Sequence, residues 1–307
     1  MITTWGARRK ARIDELAAGR SLTAEAFARL RRNPVAITGA VIVGVFLVVA
    51  ALAPLIAPHG ATDVFPELQR ELRPGHIPGP QPGFPLGSDD LARDFYSRMI
   101  LGAQQTLAVG VVATLIGLVV GIVIGLLAGA FGGWVDTVLM RVTDVLLAIP
   151  SLLLAISVAA LAPSPSQTTI IIAVAIVNVP IFARLLRGTM LAQRESDHVV
   201  AVTALGVRRR AVVLRHMLPN AIGVVIVQAT LTLATSILDA AALSFLGLGD
   251  ADPARAEWGL MLARAQPYLE FRPGLAFWPA IAIIIVALGF TLLGESLREA
   301  LDPKGRR

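Results

Sequence analysis

The stretch that decides the fold runs from Ala103 to Val135, AQQTLAVGVVATLIGLVVGIVIGLLAGAFGGWV: 33 residues without one charge. At about 1.5 Å of rise per residue, some 20 apolar residues cross the roughly 30 Å of hydrocarbon in a bilayer, so this run holds one long span and a glycine-rich exit. Within it Ala113, Gly117, Gly121, Gly125, Gly129 and Gly133 recur every four residues. Small residues at that spacing share one helix face and let a second helix approach closely. The stripe therefore predicts helix packing rather than a substrate groove.

Outward from this run the same pattern repeats. Uncharged runs of spanning length occupy Val35 to Ala57, Met217 to Leu238 and Pro273 to Gly294. A further run, Val145 to Ala183, is 39 residues long and is interrupted by Pro163-Ser164-Pro165, whose missing amide protons favour a turn. It divides into two spans. The expected fold is an all-α integral membrane protein of about six transmembrane helices. The whole composition agrees: 55% hydrophobic, 16% charged and a mean hydropathy of +0.72 exclude a soluble domain of this size.

Orientation follows from the basic residues, which resist translocation. With the N-terminal segment inside, the cytoplasmic segments carry 20 of the 27 Lys and Arg against ten acidic residues, and the external ones carry seven against ten. Both termini are thus expected in the cytoplasm. The high pI reads as a topology signal, and nucleic acid is not an expected partner. No cleavable leader is expected, because 34 mostly polar residues precede a first run of full spanning length. The absence of cysteine excludes disulfides and thiol chemistry.

The chain divides into a cytoplasmic segment, residues 1–34, a first span, 35–57, an external loop, 58–102, a core, 103–298, and a tail, 299–307. Leu22, Ala26, Phe27 and Leu30 fall on one face of an expected amphipathic helix lying on the inner leaflet. The core includes a cytoplasmic loop, 191–218, and an acidic external loop, 247–274, with Trp258, Tyr268 and Phe271. Pro and Gly between Pro74 and Gly87 argue against regular structure there.

Enzyme signatures are missing. The lysines are Lys10 and Lys304, and neither closes a phosphate loop, so the chain is expected to hydrolyse no ATP by itself. His59, His76, His198 and His216 include no pair at helical metal-binding spacing, and no serine sits in a Gly-x-Ser-x-Gly context. Neither a metal nor a cofactor is expected in this chain. Asp239 is the one charge well inside a span; it must face protein or water, be paired or be protonated, and a structural or gating role is the expectation. Arg184 and Arg187 are expected to snorkel at the membrane edge.

The segment Asp197 to Asn220, DHVVAVTALGVRRRAVVLRHMLPN, is too polar for the bilayer. Gly206 divides it and Pro219 stands where the next span begins, which predicts a short helix, a turn and a second short helix in the cytoplasm. Arg208, Arg209 and Arg210 form either a solvated topology cluster or a contact for an acidic partner.

Here the sequence resembles a family. Gly206, followed after eleven residues by Leu218-Pro219, is similar to the cytoplasmic loop motif of binding-protein-dependent importers of the ATP-binding cassette class. The ending Arg215-His216-Met217-Leu218-Pro219-Asn220 resembles the dipeptide/oligopeptide branch. Arg32-Asn33-Pro34, LGSDDLARDFYSR from Leu86 to Arg98, Gly132 to Asp136, Met140-Arg141, Asp144, Ile149-Pro150-Ser151, LSFLGLG from Leu243, Trp258-Gly259 and Ala300 to Pro303 extend the likeness in order, and resemble the C-type permease. One departure stands out: Val200, Ala201 and Val202 replace the usual Glu-Ala-Ala.

The resemblance implies a type I importer permease fold in the bacterial cytoplasmic membrane. It implies a loop of Val200, Ala201, Gly206, Val207, Arg208, Arg215, His216, Leu218 and Pro219 that couples to the ATPase. The implied partners are a second permease, two ATPase subunits or one fused ATPase, which bind ATP and Mg, and an extracytoplasmic binding protein. Short peptides are the implied substrate. Nickel chelates, glutathione or another small solute fit the same architecture. A secondary transporter or channel would need an ion-coupling site, for which Asp239 alone is thin.

Overall fold

A computed structural model describes residues 27–250 and 252–301. Leu22 and Ala26 of the expected amphipathic helix, and Asp302 and Pro303, lie outside the described residues. The elements are α1 (Pro34–Ile56), α2 (Pro66–Glu71), α3 (Phe95–Phe131), α4 (Gly133–Ala148), α5 (Ser151–Ala160), α6 (Gln167–Arg194), α7 (Asp197–Ala204), α8 (Arg209–Phe245), α9 (Trp258–Ala265) and α10 (Gly274–Leu301). Five of them, α1, α3, α6, α8 and α10, are long and apolar enough to span a bilayer, and α4 with α5 makes a sixth when counted together.

The helix starts are local chemistry. Asn33 accepts from the amides of Val35 at 2.9 Å and Ala36 at 3.4 Å, and Pro34 occupies the first turn, where its missing N–H costs nothing. Asp94 caps α3 through Tyr96 N at 3.1 Å and Ser97 N at 3.3 Å. With 37 residues α3 is roughly 55 Å long, so it projects beyond the hydrocarbon. It ends at Gly132 and Gly133, both at positive φ, 65° and 58°.

The glycine stripe of α3 packs against α6 of the same chain. A Cβ on Gly117, Gly121, Gly125 or Gly129 would lie 2.6 to 2.9 Å from Asn178, Phe182, Ala183 or Met190. Gly133 leaves the stripe, because the chain has already turned there. A second close crossing joins α1 to α10, where a Cβ on Gly39 would fall 2.7 Å from Leu293 N and one on Gly289 2.6 Å from Ile42. Helix α8 packs against α3, α6 and α10 and completes the bundle.

The third span is broken rather than continuous. The chain bends by 97° between Ala148 and Ser151. Pro150 has no amide to give Leu146, and its ring disfavours helical backbone at Ile149, which is extended at ψ 130°. The Pro163-Ser164-Pro165 turn then separates α5 from α6.

The external segments are built rather than loose. Between residues 58 and 94 the chain folds through α2 and isolated bridges, including Arg73 to His76 and Gln81 to Phe84. The expectation of irregular backbone from Pro74 to Gly87 fits these turns. Leu68, Phe84 and Ala92 form a small apolar core beneath them. Trp258 is fully buried against Gly102 of α3 and donates from Nε1 to Met99 O at 3.0 Å.

Candidate functional site

Helix α7 ends in a tight reversal. Gly206 N bonds Thr203 O at 3.0 Å and Val207 N bonds Val202 O at 3.4 Å, the paired bonds that close a helix through a left-handed residue. Gly206 supplies that residue at φ 79°, which a Cβ would strain. Val202 and Val207, the two side chains this motif brings together, both pack at the edge of one apolar cluster. The chain then runs straight into α8. The second arm is thus not a separate short helix: Arg209 to Phe245 is continuous through a π-helical turn, Val212–Met217.

Pro219 explains the wide turn. In an α-helix its ring would collide with the carbonyl of Arg215 and its absent N–H would orphan that carbonyl. Winding at five residues per bond, with Leu218 N on Val213 O, absorbs the misfit. The two arms are rooted together. Val199 of α7 and Val212, Val213 and Met217 of α8 are buried against Leu186 and Met190 of α6 and Ala221 and Val225 of α8. Exposed apolar side chains stand along this hairpin: Leu205 at the turn is 82% exposed, Val200 of α7 55% and Leu214 of α8 54%. Val200, where the family pattern has glutamate, presents an aliphatic surface. Ala201, Arg208, Arg215 and Pro219 are exposed as well, while Leu218 packs at the edge of the cluster.

The reversal also pairs two histidines that spacing in sequence kept apart. His198 Nε2 and His216 Nδ1 are 3.2 Å apart, across α7 and α8. Sequence reasoning tested pairs along one helix and so missed a pair made across a turn.

Three arginines fasten the cytoplasmic ends. Arg187 grips Asp136 with Nε to Oδ1 at 2.9 Å and Nη2 to Oδ2 at 2.7 Å. Arg184 pairs with Asp144. Both arginines tie α6 to α4, which replaces the expected snorkelling; each carboxylate lies one helix away and offers a fixed partner. Arg209 donates to the carbonyls of Ala130 and Phe131 at the C-terminus of α3, where a cation is favoured by the helix dipole.

At the centre of the bundle Ser236 of α8 joins Thr114 of α3 at 2.9 Å and Asn178 of α6 at 2.8 Å, all three buried. A lone Asn in the apolar run from Val145 to Ala183 was the available signal. Asp239, one turn along α8 from Ser236, is half-buried and makes no hydrogen bond or ion pair among the described residues.

On the external side LGSDDLARDFYSR forms an ionic knot. Asp89 receives Arg93 at 2.6 Å and Arg98 at 3.2 Å, and Arg98 also donates to Arg255 O at 2.9 Å, which ties the first external segment to the second. Burial pushes the Asp90 carboxyl up, neighbouring Asp89 adds to it, and Arg264 and Arg93 oppose it. Glu257 caps α9 through Gly259 N at 3.0 Å and Leu260 N at 3.1 Å. Its deep burial raises its pKa above the ordinary glutamate range despite those bonds.

The sequence and the fold match those of known proteins. Residues 121–307 match the family described as binding-protein-dependent transport system inner membrane component, and residues 21–74 match the N-terminal transmembrane domain of oligopeptide transport permease C. The chain is 40% identical over 280 residues to the dipeptide transport system permease protein DppC of Alkalihalophilus pseudofirmus, covering 91% of this chain and 89% of that protein. It is 45% identical over 280 residues to the glutathione transport system permease protein GsiD of Shigella flexneri, covering 91% and 90%. Its fold resembles a chain of the inward-facing MetNI methionine ABC transporter at a TM-score of 0.55 and 18% identity, covering 66% of this chain and 96% of that one.

Proposed function

The chain belongs to the binding-protein-dependent transport system inner membrane component family, and from that premise we propose that it moves short peptides inward by alternating access, driven by separate ATPase subunits through the hairpin around Gly206. The protein is a multi-pass inner-membrane permease of the dipeptide/oligopeptide type of ATP-binding cassette importer.

The observation that carries the proposal is the hairpin itself. Leu205 stands exposed at its turn, with Val200 and Leu214 exposed along its arms, while its base is rooted in α6 and α8 through Val199, Val212, Val213 and Met217. An exposed apolar surface at the end of a rigid lever suits a groove in a soluble partner. Force applied at the tip reaches α6 and α8, the helices that carry Asn178, Ser236 and Asp239 at mid-membrane. Closure of the ATPase pair would rock these helices as rigid bodies and expose the path to each side in turn. ATP and Mg belong to the ATPases in this reading. A related second permease completes the path, and an extracytoplasmic binding protein delivers substrate to the face built by the ionic knot.

Similarity to both a dipeptide and a glutathione permease supports a small peptide as cargo. Purification of the intact assembly, subunit identification and uptake of labelled dipeptides, glutathione and a nickel chelate into proteoliposomes test this. Dipeptide uptake with a co-purified ATPase is expected. Recovery without any ATPase would overturn the coupling reading, and transport of the chelate alone would overturn the substrate.

A further inference from the structure

Under the hairpin, between α7, the first turns of α8 and the last turn of α3, lies a cavity of about 370 Å³. Its walls are chiefly aliphatic, with Val199, Val212, Val213 and Met217, and its charged lining residues are Arg194 and Arg209, with no carboxylate. We propose that this cavity binds one anionic phospholipid of the inner leaflet, its phosphate between Arg194 and Arg209 and the start of an acyl chain against the valines.

Three observations carry the assignment. The cavity sits at the cytoplasmic end of three spans, since Gly129 and Ala130 close α3 and Arg194 closes α6. Basic pockets between helices at that level meet lipid headgroups and the negative potential of the leaflet. The guanidinium groups have capacity to spare: Arg194 makes no hydrogen bond or ion pair among the described residues. Arg209 uses Nη2 on Ala130 and Phe131, leaving Nε and Nη1 to donate. Finally, the volume lies within the roughly 300–1,000 Å³ of small-molecule sites, and an aliphatic wall beside two cations matches an amphiphile. Free phosphate would gain nothing from the valines. A lipid seated here would wedge beneath the coupling hairpin and set how stiffly it is held.

The test uses the full chain purified in mild detergent and native mass spectrometry after addition of dioleoylphosphatidylglycerol or dioleoylphosphatidylcholine. At least tenfold greater retention of the glycerol lipid is expected, with at least tenfold loss in Arg194→Glu. Thr203→Trp, at an exposed position on the cavity wall, should lower retention without altering charge. Equal retention of both lipids, displacement of the lipid by millimolar inorganic phosphate, or unchanged retention in both variants would overturn the proposal.

Discussion

Gly121→Leu probes one of the close contacts between α3 and α6. A Cβ at Gly121 would stand 2.6 Å from Phe182 Cβ, 2.7 Å from Val179 O and 3.1 Å from Ala183 N. Ordinary contact begins at 3.4 Å, so α6 must retreat by close to an ångström, and two of the three obstructions are backbone atoms that cannot rotate away. Retreat at this point also parts Gly117 from Asn178 and Gly125 from Ala183. Overpacking costs about 1–3 kcal/mol, and leucine, adding three atoms beyond Cβ, should sit near the upper end at about 3 kcal/mol. Replacing glycine in a helix by itself gains up to about 1 kcal/mol, so the steric and intrinsic effects have opposite signs. Gly188 of α6 provides the control, with nothing within 4 Å of a Cβ. Unfolding of the purified chain by detergent titration should show Gly121→Leu strongly destabilised and Gly188→Leu neutral or stabilised. Equal stabilities for the two variants would refute the argument that the stripe exists for close packing with α6.

Other outcomes follow from the same structure. Ser236→Ala leaves Thr114 and Asn178 without their shared partner and should cost about 1 kcal/mol in the same titration, given roughly 0.6 kcal/mol per intramembrane bond; an unchanged midpoint would remove the network from the account. Glu257 has a raised pKa when folded, so its contribution to stability is complete below the ordinary value of 4.5 and is lost as pH rises through the folded value. The stability of the chain in the same titration should therefore fall as pH rises through that range, and Glu257→Gln should flatten that trend. A double-mutant cycle on Arg187→Gln and Asp136→Asn should give a coupling of about 1 kcal/mol, modest because both groups are partly exposed.

The spans and the stripe were legible because a bilayer imposes length, apolarity and close small-residue packing that the sequence pattern reports directly. Gly206 was legible for a similar reason: a reversal without Cβ strain calls for glycine. The π turn ahead of Pro219 was not, since the proline equally fits a first helical turn after a break; packing of Val212, Val213 and Met217 against α6 keeps the chain helical through Arg215, and the proline then requires the wide turn. The 97° bend at Pro150 lay hidden in an apolar run whose more conspicuous break was Pro163-Ser164-Pro165. Arg184 and Arg187 satisfy a snorkelling pattern equally well with or without Asp144 and Asp136 nearby, because those carboxylates come from 40 and 51 residues away. The pairing of His198 with His216 depends on the same reversal and carries no local signature.

If the hairpin transmits the power stroke, Gly206→Pro should uncouple transport from hydrolysis. Proline is held near φ −65° and cannot adopt the 79° that closes α7, so the tip must be repositioned while the spans remain. In proteoliposomes containing the assembled importer, substrate taken up per ATP hydrolysed should fall at least tenfold, with the variant still in the membrane and hydrolysis continuing. Uptake per ATP equal to that of the unaltered protein would contradict the account.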